Sequence, residues 1–477
     1  MSALVARFAD VCRDDPARPL IHLPAAERVL TASAIWDAHQ QHADRLTCTG
    51  VGEGHLVVSA VGNTAMAPAI LLACRALGAA MMAVDACATP AEVDALAARF
   101  GAAAIVTADR VRRSSGEARR HSGAAVLKLT SGSTGVSKAT RTTEAQMIAD
   151  ALHIVEAMEI RPGDTQIAAI PMSHSYGLGN LLLPLLLQGT ACVLRDSFVP
   201  QLVPADARRF GAQIFPAVPF MFEYFLDHPP AGGWPPTLRR LISAGAPLCA
   251  ATVRAFHDRF GLKIHSFYGA SETGGIAFDA DDDVDDSGTV GTPLPGVTVT
   301  LRDDDLQAVC SQQPAISNQH FRVHVRSDAV SSGYVDDDGG AFVDGGFLTG
   351  DYGEWDSRGR LLLRGRASSF VNVAGRKVQP DEVEAVLRRM PGIADVRVVA
   401  APDARRGEQI VACIVVDARA SSITTLVIRR YCAERLASYK VPRAIVFVER
   451  IPLTARGKTD RVALDALVRA GLSRGTL

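Results

Sequence analysis

Leu127-Lys128-Leu129-Thr130-Ser131-Gly132-Ser133-Thr134-Gly135-Val136-Ser137-Lys138 carries an apolar strand into a loop of small residues and hydroxyls that ends on a lysine. Gly132 and Gly135 permit a tight turn and a close approach of backbone N–H groups to an anion. Ser131, Ser133 and Thr134 add hydroxyl donors, and Lys138 adds a positive charge. That combination suits phosphate. Against the Walker A template, Gly132 and Lys138 fit, but Ser137 precedes the lysine where glycine belongs and Ala139 follows it where Ser or Thr belongs. The loop is a poor match to that template, and a Walker-type NTPase is the disfavoured alternative.

Working outward, four further runs share the chemistry of a nucleotide site: Tyr268-Gly269-Ala270-Ser271-Glu272-Thr273, Leu348-Thr349-Gly350-Asp351, Gly365-Arg366 followed by Gly375-Arg376-Lys377, and Pro452-Leu453-Thr454-Ala455-Arg456-Gly457-Lys458. Together with the loop, and in this order, they resemble the motifs of the AMP-forming adenylating enzymes. That superfamily comprises acyl-CoA synthetases, peptide-synthetase adenylation domains and luciferases, and the resemblance is nearest to acyl- or aryl-CoA ligases. It covers nearly the whole chain and is specific for the superfamily, not for a substrate.

The resemblance implies attack of a carboxylate on the α-phosphate of ATP, followed by transfer of the acyl group to a thiol. Two anions must meet, so positive charge and oriented donors matter more than an acid or a base. By resemblance, Thr130, Ser131, Gly132, Ser133, Thr134, Gly135 and Lys138 hold the β- and γ-phosphates. Lys458 bridges the carboxylate and the α-phosphate, Glu272 holds Mg²⁺, and Thr273 donates to the α-phosphate. Gly245, Ala246 and Pro247 line the adenine, Tyr268 covers it, and Asp351 and Arg366 fix the ribose. His174 gates an acyl pocket lined by Tyr176, Gly177, Phe220, Gly269 and Gly274. In amino-acid-activating relatives an aspartate binds the substrate ammonium, and Ser175 stands at that position with no acid nearby in the sequence. An α-amino acid is therefore a poor candidate, and a small-molecule carboxylic acid is expected. The acceptor is coenzyme A or, alternatively, the phosphopantetheine of an acyl carrier protein.

Composition narrows the class further. A net charge of −1 with mixed signs disfavours electrostatic nucleic-acid binding, and nine scattered cysteines without a CxxC pair suit reduced thiols in a cytoplasmic protein. Arg7, Asp10, Arg13 and Asp14 break any signal-peptide pattern, and the longest apolar run, Leu178 to Leu187, is too short to span a membrane and reads as a buried helix. Alternate carboxylates in Asp279 to Asp286 invite a calcium loop. Val284 at the required glycine position argues against it and favours solvated acids.

Strand and helix patterns alternate through the first three-quarters of the chain, with Thr89-Pro90-Ala91-Glu92 marking a helix start by its hydroxyl cap, proline and glutamate. This predicts an α/β fold: a large N-terminal lobe of parallel-sheet subdomains over 1–365, a hinge at 366–370 pivoting on Ser368, and a small mobile α+β domain over 371–477.

Overall fold

The computed structural model describes residues 2–85, 88–130, 138–195, 198–285, 287–303, 307–308, 321–336, 340–366, 371–373, 376–378, 380–403, 407–417, 423–436, 440–453 and 459–473. They fall into two compact units. The first comprises Met1–Gln312, Val323–Thr349 and Trp355–Leu362, and the second comprises Gln313–Arg322, Gly350–Glu354 and Leu363–Leu477.

Two sheets organise the first unit. In the six-stranded sheet, Leu56–Ala60 pairs in parallel with Ala104–Thr107 on one side and Ala80–Ala83 on the other. Val126–Thr130 continues it in parallel, and Lys138–Thr142 closes that edge antiparallel. Runs such as Leu-Val-Val at 56–58 and Ala-Ile-Val at 104–106 are buried throughout, as strands packed on both faces must be. The nine-stranded sheet has a parallel middle of Ile264–Ala270, Arg240–Ser243, Ile214–Ala217, Thr165–Ala168, Ala191–Leu194 and Pro19–Leu23. Antiparallel strands flank it, among them Gly274–Phe278, which doubles back on Ile264–Ala270.

Local signals set the helices that position the site. Thr89 caps Pro90–Arg99 in a reciprocal box with Glu92, as the sequence predicts. Thr143 and Gln146 form the same device at the start of Glu144–Met158. Burial of Met147, Ile148, Ala151, Ile154 and Met158 seats this second helix in the core and takes Asp150 inside with them. The apolar run expected as a buried helix is one, with a π turn at Leu178–Leu182 continuing directly into the α-helix Leu183–Gln188. Pro184 accounts for the join, since it can open a helix but cannot supply an N–H within one.

In the second unit, Gly407–Val416 pairs antiparallel with Ile393–Asp403 and in parallel with Ala444–Phe447. The helix Pro380–Arg388 places Val383 and Leu387 on the same apolar core as Val396, Ile410 and Ile414. Among the described residues no helix is long and apolar enough to cross a membrane.

Candidate active site

The loop expected to hold phosphate connects two paired strands. Thr130, the last residue of Val126–Thr130, is the register partner of Lys138, the first residue of Lys138–Thr142. A Walker lysine opens a helix, whereas Lys138 opens an antiparallel strand, so the geometry departs from the P-loop as the flanking residues do. Ser131, Gly132, Ser133, Thr134 and Gly135 lie outside the described residues.

The strand from Lys138 brings a distant segment to the site. Arg141 N–H donates to Gly333 O at 2.8 Å, Ser332 N–H to Arg141 O at 2.8 Å, and Val335 N–H to Ala139 O at 2.9 Å. Tyr334 is thereby fixed beside Lys138, whose Nζ lies 5.1 Å from the centre of the tyrosine ring. The Tyr334 hydroxyl donates to Glu272 Oε1 at 2.8 Å, and Ser331 N–H donates to the Glu272 carbonyl at 2.8 Å. The lysine expected at the phosphates and the carboxylate expected at Mg²⁺ therefore meet on one phenol.

Glu272 and Thr273 sit in the turn between Ile264–Ala270 and Gly274–Phe278. Thr273 is fully buried and its hydroxyl donates to Gly274 O at 3.1 Å. The hydroxyl is thus held within the turn that also carries Glu272. Gly274 has φ +72°, and a Cβ there would lie 2.1 Å from Asp150 Oδ1. The same oxygen accepts Gly275 N–H at 2.8 Å. Gly269 is crowded in turn, since a Cβ on it would lie 2.7 Å from Gly274 O. These glycines are required by close packing of the turn.

Beneath the turn, Lys128 and Asp150 are both buried. Burial lowers the Lys128 pKa, against the opposing pull of the Asp150 and Glu272 carboxylates. Burial likewise raises that of Asp150, while Lys128 and the Gly275 N–H favour its ionised form. Lys128 stands in the strand that opens the first motif without an assigned role and Asp150 lies outside every motif, yet both carry charge to the back of the Glu272 turn.

From the segment after Thr165–Ala168, Ser175 reaches that turn and its neighbours reach other strands. Ser175 Oγ donates to Ser271 Oγ at 2.9 Å, and the Tyr176 hydroxyl donates to Ile242 O at 3.1 Å. The Tyr176 ring also lies 5.7 Å from that of Phe267. Gly177 is obligatory, because a Cβ would fall 2.1 Å from Pro171 O. Phe220 is 42% exposed on the helix Pro219–Asp227, edge-on to Phe198. His174 Nε2 lies 3.4 Å from Asp85 Oδ2. The sequence reading finds no acid near Ser175; the fold supplies one from the loop after Ala80–Ala83 and removes that ground for setting amino acids aside.

The remaining expected residues come from other segments. Gly245, Ala246 and Pro247 form an exposed loop after Arg240–Ser243, with Gly245 at φ +83°. Tyr268 is buried, and its hydroxyl is 3.4 Å from Thr349 Oγ1. Asp351 is buried in Gly346–Trp355, within the stretch that groups with the second unit. Arg366 ends the strand Leu361–Arg366, and its side chain is not among those described. Ser368 and Lys458 lie outside the described residues.

The acidic run is solvated at Asp282 and Asp283, as expected, but not at its start. Asp279 is buried 2.9 Å from Lys263 Nζ, and Asp281 meets the same ammonium at 2.9 Å. Arg360 holds Asp285 at 2.6 Å and Asp356 at 2.8 Å, while Arg358 holds Asp283 at 2.8 Å. Lys263, just before the strand Ile264–Ala270, and Arg358 and Arg360, in the turn before Leu361–Arg366, thus pair with acids that look unpaired in the sequence.

Two paired strands that end on Lys138 thus stand beside a glycine-bounded turn that carries Glu272, and the comparisons with known proteins give the family. The chain belongs to the AMP-binding enzyme family: residues 112–335 match the AMP-binding enzyme domain and residues 382–458 the family's C-terminal domain. Sulfoacetate–CoA ligase of Cupriavidus necator is 29% identical over 346 residues, covering 71% of this chain and 66% of that protein. The 2-succinylbenzoate–CoA ligase of Enterococcus faecalis is 29% identical over 338 residues, covering 70% and 67%. The match thus spans just under two thirds of the first ligase's length. ATP-bound MatB from Rhodopseudomonas palustris has the same fold, with a TM-score of 0.85 at 25% identity over 97% of this chain and 98% of that one.

Proposed function

We propose that this protein activates a small-molecule carboxylic acid with ATP and passes the acyl group to the thiol of coenzyme A. The observation that carries the reading is the meeting of Lys138 and Glu272 on Tyr334, which unites a phosphate cation with a metal carboxylate in one site. The ligase relatives support the thiol acceptor, and the ATP-bound neighbour supports the nucleotide.

In the first step a substrate carboxylate oxygen forms a bond to the α-phosphorus. The bond from that phosphorus to the bridging oxygen breaks, and pyrophosphate leaves with the electron pair. Lys138 and the donors of 131–135 offset charge on the departing phosphates, and Lys458 offsets it at the α-phosphate. Glu272 fits a hard cation as an oxygen ligand already oriented by a hydrogen bond, and bound Mg²⁺ would neutralise phosphate oxygens there. In the second step the thiol loses its proton, its sulfur bonds to the acyl carbon, and the bond from that carbon to the adenylate oxygen breaks, releasing AMP. Asp351 and Arg366 serve the ribose, Gly245 to Pro247 and Tyr268 the adenine, and Ser368 the pivot between steps. His174, Tyr176, Gly177 and Phe220 surround the acid.

A panel of carboxylic acids assayed for pyrophosphate and AMP, with and without coenzyme A, tests the reading. Acid-dependent pyrophosphate release and a coenzyme A thioester are expected. Production of ADP would overturn it in favour of a hydrolase or kinase, and thioester formation only on an acyl carrier protein would overturn the choice of acceptor.

A further inference from the structure

Tyr334 lies outside every motif from which the site is read, yet it touches two of the site's charged groups. Its hydroxyl donates to Glu272 Oε1 at 2.8 Å, and its ring face lies 5.1 Å from Lys138 Nζ. The tyrosine is itself held rigidly. An antiparallel bridge pairs it with Thr140, and backbone hydrogen bonds on both sides of it run to Ala139 and Arg141. Phe342 packs edge-on against its ring, with centres 5.5 Å apart and planes at 79°. The neighbouring Ser331 is tied to Thr142 Oγ1 through its hydroxyl at 3.0 Å and to the Glu272 carbonyl through its N–H at 2.8 Å.

We propose that Tyr334 is a positioning residue that orients Glu272 for the divalent cation and steadies Lys138 for the phosphates, so that metal and phosphate binding are coupled through one side chain. The inference rests on the roles of Glu272 and Lys138 in the function proposed above. A carboxylate can accept at both oxygens, so a donor on Oε1 fixes its plane without exhausting its capacity for a metal. The aromatic face attracts the ammonium without competing for phosphate as a carboxylate would. A phenol therefore holds a cation and an anion at a set separation while adding no charge of its own. Phenylalanine retains the ring and loses the donor; leucine loses both.

The test measures binding of Mn²⁺ in the presence of α,β-methylene-ATP, and of that analogue without metal, by titration calorimetry. Tyr334→Phe is expected to raise the Mn²⁺ concentration at half-saturation by roughly 3- to 10-fold, the scale of one charge-assisted hydrogen bond partly replaced by water, with metal-free binding of the analogue within about twofold. Tyr334→Leu is expected to weaken metal-free binding by about threefold as well, because Lys138 loses its aromatic partner. In a Glu272→Gln background, Tyr334→Phe should have little further effect on Mn²⁺. Wild-type Mn²⁺ binding by Tyr334→Phe, or an undiminished effect in the Glu272→Gln background, would overturn the proposal. If the leucine variant fails to fold, the nearly isosteric phenylalanine variant and its Glu272→Gln pair still decide. A wild-type protein that binds neither probe overturns the nucleotide reading itself, whereas normal binding by wild type and both variants overturns only the role of Tyr334.

Discussion

Asp150 Oδ1 accepts the N–H of Gly275 at 2.8 Å and occupies the space in which Gly274 would otherwise carry a side chain. A helix residue thus fixes the turn that carries Glu272. Gly274→Ala would meet two penalties: φ +72° and a contact of 2.1 Å with that oxygen. Gly211 provides a control, with φ +60° and nothing within 4 Å of a built Cβ. Gly211→Ala should cost about 1–2 kcal/mol, the ordinary penalty for a left-handed alanine, and leave adenylation near wild type. Gly274→Ala should cost more and lower acid-dependent pyrophosphate release by about tenfold or more, because displacing catalytic groups by an ångström is that expensive. Equal behaviour of the two variants in denaturation and turnover would refute the account of the turn.

Lys128 and Asp150 supply a second expectation. Each is buried, and each favours the other's charged form. Removing one partner leaves an uncompensated charge, typically at a cost of ~3–5 kcal/mol, whereas replacing both by apolar residues of similar size is often neutral. Lys128→Met and Asp150→Leu should each lower the urea midpoint sharply, and the double variant should recover the part due to the unpaired charge but not the part due to the Gly275 N–H left without its acceptor. Additive losses would mean that the two charges do not stabilise each other.

Stability should also respond to pH through Asp285. Burial pushes its carboxyl upward, but the Ser287 hydroxyl and N–H together with Arg360 outweigh it and bring the pKa down from 3.8 to about 2. The folded state consequently binds fewer protons than the unfolded chain over that interval. The stabilisation is present above the unfolded value near 3.8 and is lost as pH falls through about 2. Asp285→Asn should therefore be less stable than wild type at neutral pH, with the gap closing below pH 4. A gap that stays constant down to pH 2 would assign it to packing.

Much of this site is legible in sequence because phosphate recognition uses contiguous residues: hydroxyls, glycines and a lysine work through one short stretch of backbone. The alternating sheet architecture is legible for a similar reason, since buried parallel strands read as apolar runs and Thr89 and Thr143 announce their helices locally. Supporting groups are not contiguous. Tyr334 reaches Lys138 only through strand pairing, and Asp85 reaches His174 only through the sheet that ends beside it. Two local signals do exist. Lys128 interrupts an apolar strand, and Asp150 interrupts the apolar stripe formed by Met147, Ala151 and Ile154; a charge at a core position calls for a partner. The ion pairs of the acidic run are not legible for the same reason, because Lys263, Arg358 and Arg360 join it from distant segments.

The final expectation concerns Asp85 and His174, whose Oδ2 and Nε2 atoms lie 3.4 Å apart. If His174 gates the acyl pocket, Asp85 orients its imidazole, because its carboxylate lies beside Nε2. His174→Ala should then raise KM for the preferred acid by about tenfold, the equivalent of ~1.4 kcal/mol, while leaving KM for ATP within about twofold. Asp85→Asn should produce a smaller change in the same direction, and adding it to His174→Ala should produce almost none, because its effect passes through the histidine. Steady-state kinetics on the four proteins, varying acid and ATP separately, provide the measurement. A loss confined to ATP would move the pair to the nucleotide site. If Asp85→Asn impairs α-amino acids alone, the carboxylate binds a substrate ammonium directly, and the choice of substrate class falls with it.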